Sequence, residues 1–287
     1  MLYLSTKLLL FVAFLSSMKE GIYLKTRVIS AIVLIVLVVA CFAISPATRA
    51  LLIVAAMITA IWEMCRAISM KEIKCAAWVL YVYAAVSSFA VYIMAEHMTT
   101  EVLFFLAVFA VLTAGVTRRD IRGPGSLASL AILVYPVVPF LIILNLALSP
   151  VWIPIFAIGC ISTWACDAFA LFGGKWFGKN KLAPEVSPKK TIEGSITGAV
   201  AATIVGGILY FVLKASYDIP LVICMLTALI SSTFGQVGDL AASLIKRMCG
   251  VKDYSNLIPG HGGVMDRVDS LLFSIPVTYF ILSICIF

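Results

Sequence analysis

The sequence predicts an all-α polytopic membrane protein with about nine transmembrane helices and two polar cytoplasmic loops that form one site. Of its 287 residues, 63% are hydrophobic and 12% are charged, whereas a soluble domain carries about 25% charged residues. Several apolar runs reach about 18 residues or more, the length a helix needs to cross a bilayer. Basic residues gather in alternate loops. A helix is the expected form of each run, because it satisfies its own backbone hydrogen bonds in lipid.

The predicted spans follow one another from residue 27 to the end of the sequence. They lie near residues 27–44, 50–68, 76–95, 101–117, 127–148, 151–172, 195–213, 220–245 and 271–287. We therefore expect residues 27–287 to form one integral membrane domain. Residues 1–26 are expected to be an N-terminal extension, because Leu8–Leu15 is apolar but too short for a span. An interfacial helix and an addition upstream of a start at Met18 are the two favoured interpretations.

Charge in the loops predicts the orientation of the spans. Basic residues lie before the first span and after the second, fourth, sixth and eighth spans, and the intervening loops hold little charge. By the positive-inside rule the basic loops are cytoplasmic. Two long polar loops, at about 173–194 and 246–270, then open on the same side. The sequence thus predicts a multi-pass protein of the cytoplasmic (inner) membrane with a cytoplasmic site. Topology accounts for the net charge of +7, so nucleic acid is not an expected partner.

The eight cysteines are scattered along the chain, mostly inside apolar runs, and none forms a CxxC pair. Cysteine behaves as a small hydrophobic residue when it is buried. That interpretation is favoured over metal ligation and over disulfide bonds, which need a more regular spacing or an oxidising compartment.

The most informative segment is Ser243–Asp269, in which lysines, arginines, aspartates, glycines and a histidine lie between two apolar runs. Charge at a membrane edge is costly to desolvate, so a dense cluster there indicates function. If the eighth span continues as a helix, Asp239, Ser243 and Lys246 share one face at i, i+4 and i+7. Arg247 points elsewhere, and a topology charge is its alternative interpretation.

Aspartates in and near this segment suit a divalent cation. Asp266 and Asp269 stand at i and i+3 on one helix face, and carboxylates so close need a cation or a proton between them. Asp167 lies inside the sixth span, where an acid is a functional candidate. Local salt bridges are the alternative for all of these acids. Mg²⁺ prefers oxygen ligands and substrate phosphates, and His261 is the region's only histidine, which disfavours a transition metal.

A second polar group follows the sixth span, in a loop that reads SPKKT. Lysines beside hydroxyl groups suit phosphate oxygens, through charge and hydrogen bonds. A positive-inside lysine pair is the alternative interpretation. Glu193, which follows the loop, is expected to brace it rather than contact a substrate. The candidate phosphate-binding residues of this loop are Ser187, Lys189, Lys190 and Thr191.

The run Pro259-Gly260-His261-Gly262-Gly263 predicts a turn that allows positive φ at several positions. Such a turn can bring backbone N–H groups against a phosphate or a base. Contact with a nucleotide and bracing of the loop are equally favoured roles for His261. Glu63, an acid inside the second span near Arg66, is expected to pair internally.

These residues resemble the phosphatidate cytidylyltransferase (CDP-diacylglycerol synthase) family. Its signature has the form S-x-hydrophobic-K-R, then K-D, then P-x-H-G-G-hydrophobic-x-D-R-hydrophobic-D. The chain supplies Ser243, Lys246, Arg247, Lys252, Asp253, Pro259, His261, Gly262, Gly263, Asp266, Arg267 and Asp269. The lysine loop and Asp167 with the GGKWFGK run that follows it also resemble the family, although Ile192 stands where many members have an aromatic residue. The resemblance covers about residues 27–287.

The resemblance implies transfer of CMP from CTP to phosphatidic acid, which yields CDP-diacylglycerol and pyrophosphate and requires Mg²⁺. On that basis we expect Asp239 and Asp266 to hold the main cation, and Asp269 and Asp167 to hold a second ion or orient the first. The expected phosphate-neutralising residues are Lys189, Lys190, Lys246 and Arg267. The remaining expected substrate contacts are Ser187, Thr191, Arg247, His261, Gly262 and Gly263. A membrane lipid and a homodimeric partner are further implications.

Three other classes of function remain open. A transporter is the leading alternative, because intramembrane aspartates are also features of transporters. Of the eight acids after Asp120, however, only Asp218 falls in a predicted external loop, whereas a transport path would distribute charge across the membrane. A CTP-dependent kinase of a polyprenol-like alcohol would share the phosphate-binding groups but release CDP. A structural scaffold is least favoured, because it gains nothing from so many desolvated charges.

Overall fold

The computed structural model describes residues 28–94 and 97–286, which form helices and one small sheet. The helices are α1 (Val28–Ile44), α2 (Pro46–Ser69), α3 (Ala77–Met94), α4 (His97–Thr117), α5 (Pro124–Leu148), α6 (Trp152–Phe177), α7 (Ile192–Leu213), α8 (Leu221–Cys249) and α9 (Met265–Cys285). The strands are β1 (Lys181–Ala183) and β2 (Ser187–Thr191). Each predicted span overlaps one helix, so the all-α prediction is confirmed. The expected extension at residues 1–26 lies outside the described residues.

Length and composition make most of these helices suitable for a membrane. Within the described ranges, seven helices are long and apolar enough to cross a bilayer, and α1 and α3 are shorter apolar helices. Their outward faces carry large apolar side chains, of which Leu51, Val116 and Leu171 are 71%, 73% and 72% exposed. Soluble monomers rarely expose apolar surface this extensively. The chain is therefore a multi-pass membrane protein.

Close packing brings α6, α7, α8 and α9 together. α6 lies along α7, and α8 packs against α7 and α9. A Cβ atom on Gly198 of α7 would lie 2.5 Å from the carbonyl oxygen of Cys166 in α6, so only glycine permits this approach. Small residues generally allow helix backbones to come close in membranes. On the other side of the bundle, α2 packs against α3 and α5 and buries Met57 and Ile61.

The polar region at about 173–194 contains more regular structure than the long loop that the sequence predicts. α6 continues to Phe177, and β1 and β2 then pair as an antiparallel hairpin in which Lys181 lies opposite Thr191. The hydroxyl of Thr191 accepts a hydrogen bond from the backbone N–H of Gly194 at 3.1 Å and so caps α7. The hairpin thus leads directly into a membrane helix and is anchored at its base.

Candidate active site

A cavity of about 670 Å³ lies where the hairpin meets α6, α8 and the start of α9. Its volume is in the range of ordinary small-molecule sites. Its charged lining, within the described part of the chain, comprises Asp167, Asp239, Asp253, Asp266, Asp269, Lys175, Lys189, Lys190, Lys246 and Arg267. The prediction that both polar loops contribute to one place is thus matched by the geometry. One side of the same cavity is apolar and is lined by Leu34 of α1, Trp164 and Leu271.

Asp239 connects α8 to the hairpin. Its Oδ2 atom forms an ion pair with Nζ of Lys190, and each of these side chains is 28% exposed. The hydroxyl of Ser243, one turn further along α8, lies 3.4 Å from Oδ1 of Asp239. The predicted shared helix face of Asp239, Ser243 and Lys246 is confirmed, because α8 continues through all three residues.

Asp266 holds the loop between α8 and α9. Its Oδ1 atom accepts a hydrogen bond from Nζ of Lys246 at 2.7 Å. Its Oδ2 atom accepts from the backbone N–H groups of Tyr254 at 2.9 Å and Gly263 at 3.0 Å. Burial, with Asp266 and Asp269 nearby, raises the pKa of the Tyr254 phenol. The phenol therefore stays neutral, and it donates a hydrogen bond to the carbonyl of Ala242 at 3.0 Å.

Ser270 lies between the carboxylates of Asp269 and Asp167. The Oδ1 atom of Asp269 accepts the backbone N–H of Ser270 at 2.8 Å. The hydroxyl of Ser270 lies 3.5 Å from Oδ2 of Asp167. Three helices, α6, α8 and α9, thus each direct a carboxylate into the cavity, from Asp167, Asp239 and Asp269.

The donor chemistry of this site suits Mg²⁺, because the nearest candidate ligands are carboxylate and hydroxyl oxygens. No three acidic, histidine or cysteine side chains among the described residues have converged into a metal-binding group. Asp239 and Asp266 are instead balanced by Lys190 and Lys246. The predicted metal roles of these aspartates and of Asp167 and Asp269 therefore stay predictions.

The hairpin that presents Lys189 and Lys190 is braced as expected. The carboxylate of Glu193 accepts hydrogen bonds from the backbone N–H of Lys179 at 3.1 Å and from the side-chain amide of Asn180 at 2.8 Å. The backbone N–H of Asn180 adds a further hydrogen bond at 3.1 Å. The prediction that Glu193 braces the loop is confirmed.

His261 lies against α1 rather than in the cavity lining. Its Nδ1 atom is 2.9 Å from the hydroxyl of Ser30, which also donates to the carbonyl of Pro259 at 2.9 Å. Gly260 and Gly262 have φ values of +75° and +85°, as the predicted turn requires. These contacts favour bracing of the loop over nucleotide contact, and the latter stays a prediction.

Arg247 connects the hairpin to the end of α8. Its Nε atom donates to the carbonyl of Val186 at 3.3 Å, and its Nη1 atom donates to the carbonyl of Val251 at 3.2 Å. It therefore does more than mark topology. Five residues with predicted substrate-binding roles flank the cavity without lining it: Ser187, Arg247, His261, Gly262 and Gly263. Their substrate-binding roles stay predictions.

Two contributors to the site were not predicted from the sequence. Glu63 of α2 was expected to pair internally near Arg66, but its partners are Ser255, Val264 and Met265. Gln236 of α8 lines the cavity, and its Nε2 atom lies 3.0 Å from the sulfur of Cys166. An acid and an amide inside apolar spans were the only sequence signals for these roles.

Comparison with known proteins places the chain among nucleotide-transferring enzymes. It is 47% identical over 125 residues to the phosphatidate cytidylyltransferase of Bacillus subtilis (strain 168). That match covers 44% of this chain and 46% of the relative. It is 37% identical over 150 residues to the phosphatidate cytidylyltransferase of Rickettsia bellii (strain RML369-C). That match covers 50% of this chain and 64% of the relative. The matched regions therefore span less than two thirds of the length of either relative. The model of the cytidylyltransferase family matches residues 25–285, so the chain belongs to that family.

Proposed function

We propose that the protein transfers CMP from CTP to phosphatidic acid, which yields CDP-diacylglycerol and pyrophosphate for phospholipid synthesis. The observation that carries the proposal is one cavity that combines five carboxylates and five cationic groups with an apolar side. Cations suit the phosphates of CTP and of the lipid, and the apolar side chains suit the lipid's glycerol and acyl region. The relatives named phosphatidate cytidylyltransferase support the same reaction.

The reaction needs positioning and charge neutralisation more than covalent participation by the protein. A phosphate oxygen of the lipid attacks the α-phosphorus of CTP, a new P–O bond forms, and the bond to the β-phosphate breaks as pyrophosphate leaves. A phosphate monoester is largely ionised near neutral pH, so no strong general base is required. Lys189, Lys190, Lys246 and Arg267 neutralise phosphate charge. Further substrate contacts come from Ser187, Thr191 and Arg247, and the turn that holds His261, Gly262 and Gly263 covers the nucleotide.

Asp239 and Asp266 would hold Mg²⁺, with Asp269 and Asp167 holding a second cation or orienting the first. When bound, the metal would supply charge neutralisation at the attacking and leaving oxygens. Lys190, which is 28% exposed, can turn from Asp239 to a phosphate oxygen, whereas the buried Lys246 would act on phosphate charge from its place beside Asp266. The exchange at Lys190 would leave Asp239 able to accept a cation.

The proposed site faces the cytoplasm. The lysine-rich hairpin and the loop after α8 carry the basic residues that the positive-inside rule assigns to that side. CTP is a cytoplasmic metabolite and the lipid lies in the leaflet, so a cavity at the cytoplasmic edge of the membrane is reached by both. A homodimer remains an expectation of the family resemblance.

The test is an assay of purified protein in detergent with phosphatidic acid and α-labelled CTP, with and without Mg²⁺. We expect Mg²⁺-dependent labelled lipid and release of pyrophosphate. Asp239→Asn should abolish the label while membrane insertion stays intact. Asp218→Asn, an exposed acid remote from the cavity, is the matched control and should retain activity.

Three results would contradict the proposal. The first is an absence of labelled lipid in the wild-type protein, and the second is near-normal turnover in Asp239→Asn. The third is transfer of label from γ-labelled CTP with release of CDP, which would indicate a kinase. Solute movement in sealed vesicles without CTP would instead favour a transporter.

A further inference from the structure

A carboxylate from a distant helix holds the start of α9. Glu63 lies in α2, and it is fully buried at 0% exposed. Its Oε1 atom accepts from the backbone N–H of Val264 at 2.9 Å, and its Oε2 atom accepts from that of Met265 at 2.7 Å. Met265 is the first residue of α9 and Val264 immediately precedes it, and N–H groups at this end of a helix have no backbone acceptors within the helix. A negative group at this end is also favoured by the helix dipole.

The same carboxylate also fixes the other end of the segment 255–265. The hydroxyl of Ser255 donates to Oε1 of Glu63 at 2.5 Å. Ser255 in turn accepts the backbone N–H of Leu257 at 3.2 Å. Glu63 therefore ties residue 255 to residues 264 and 265, which are nine or ten positions later in the chain.

Asp266, in the first turn of α9, makes a second set of hydrogen bonds to the same segment. It accepts from the backbone of Tyr254 and Gly263, the residues adjacent to the two ends that Glu63 holds. Gly263 fits between the two carboxylates, and a Cβ atom there would lie 2.3 Å from Oε1 of Glu63. Glu63 and Asp266 thus clamp residues 254–265 from two sides, and the second of them lines the cavity.

We propose that Glu63 is a positioning residue for the cytidylyl transfer, which acts by fixing Asp266 and Asp269 at the start of α9. This inference rests on the proposed function. Glu63 does not line the cavity. Its effect passes through the backbone of Val264 and Met265 to the carboxylates of Asp266 and Asp269, which lie one to five residues later. Loss of such an outer partner typically lowers metal affinity or activity about 10- to 100-fold.

Glu63→Gln is the principal test, because the amide keeps the shape of the side chain but cannot accept at both of its terminal atoms. We expect the Mg²⁺ concentration for half-maximal activity to rise about 10- to 100-fold. A simple loss of folded protein would lower kcat without moving that midpoint. A second readout is amide hydrogen exchange, which needs no substrate. Exchange should accelerate at the amides of residues 263–265, while the amides of α7 and α8 stay protected.

Glu72→Gln is the matched control, because Glu72 is an exposed acid just after the same helix. It should leave both readouts unchanged. Where Glu63→Gln does not fold, Ser255→Ala removes one contact of the clamp and should shift both readouts in the same direction by less. Wild-type exchange protection and a wild-type Mg²⁺ midpoint in the folded variant would overturn the inference. Failure of the wild-type protein to make CDP-diacylglycerol would overturn the proposed function instead, and the exchange measurement would still test the clamp.

Discussion

Nζ of Lys246 lies 2.7 Å from Oδ1 of Asp266, and the two side chains are only 10% and 3% exposed. The pair joins the end of α8 to the start of α9, and the Lys246 ammonium also lies 5.5 Å from the ring centroid of Tyr254. A buried pair of this kind is held in one geometry by its neighbours, because an unpaired charge there would be strongly unfavourable. The proposed phosphate-binding lysine is thus also a structural element.

We expect Lys246→Met to lower both stability and activity. Removing one partner of a buried ion pair leaves the other charge uncompensated, at a typical cost of about 3–5 kcal/mol. Thermal unfolding in detergent and cytidylyl transfer would be measured on the same preparation. Lys74→Met, which changes an exposed lysine in the loop after α2, is the control and should affect neither.

The double variant Lys246→Met/Asp266→Asn separates the two roles of the pair. With both charges removed, the desolvation cost of the lone carboxylate disappears, and stability should recover toward the wild-type value. Activity should not recover, because the proposed phosphate and metal contacts are both lost. A double variant that is no more stable than Lys246→Met would show that the charge pair does not determine stability here.

Gly263→Ala should destabilise the loop between α8 and α9. The added Cβ atom would lie 2.3 Å from Oε1 and 2.8 Å from Oε2 of Glu63, closer than real contacts. The carboxylate must move, which disturbs its hydrogen bonds to α9. Overpacking of this kind typically costs about 1–3 kcal/mol. Gly207→Ala is the matched control, since its nearest neighbour is 3.6 Å away. Equal melting temperatures for the two variants would contradict the prediction.

The sequence predicted the helices well because their signals are local. A run such as residues 195–213 is apolar over the length of a bilayer, and no distant residue is needed to recognise it. The shared face of Asp239 and Lys246 was predictable for the same reason, since it follows from helical periodicity within one span. Loop charge also placed the two polar regions on the same side, and they do meet in one cavity.

The pairings within the site could not be predicted, because they join residues that are far apart in sequence. Glu63 has an arginine one turn away, yet it bonds to Val264 and Met265, about 200 positions later. Lys190 and Lys246 were both expected to contact phosphate, and nothing local indicates that each pairs with a different aspartate. The hairpin was missed because β1 is three residues long, too short for an alternating pattern to be recognised.

Glu193→Gln should weaken CTP binding more than it slows the chemical step. The carboxylate of Glu193 receives bonds from Lys179 and Asn180 at both oxygens, and an amide can accept at only one. The hairpin would then present Lys189 and Lys190 less well to the phosphates, so KM for CTP should rise while kcat changes less. Global stability should hold, because Glu193 is only partly buried. Glu185→Gln, in the turn of the same hairpin, is the control and should keep the wild-type KM. An unchanged KM in Glu193→Gln would mean that the hairpin keeps its shape without this brace, or that its lysines do not bind CTP.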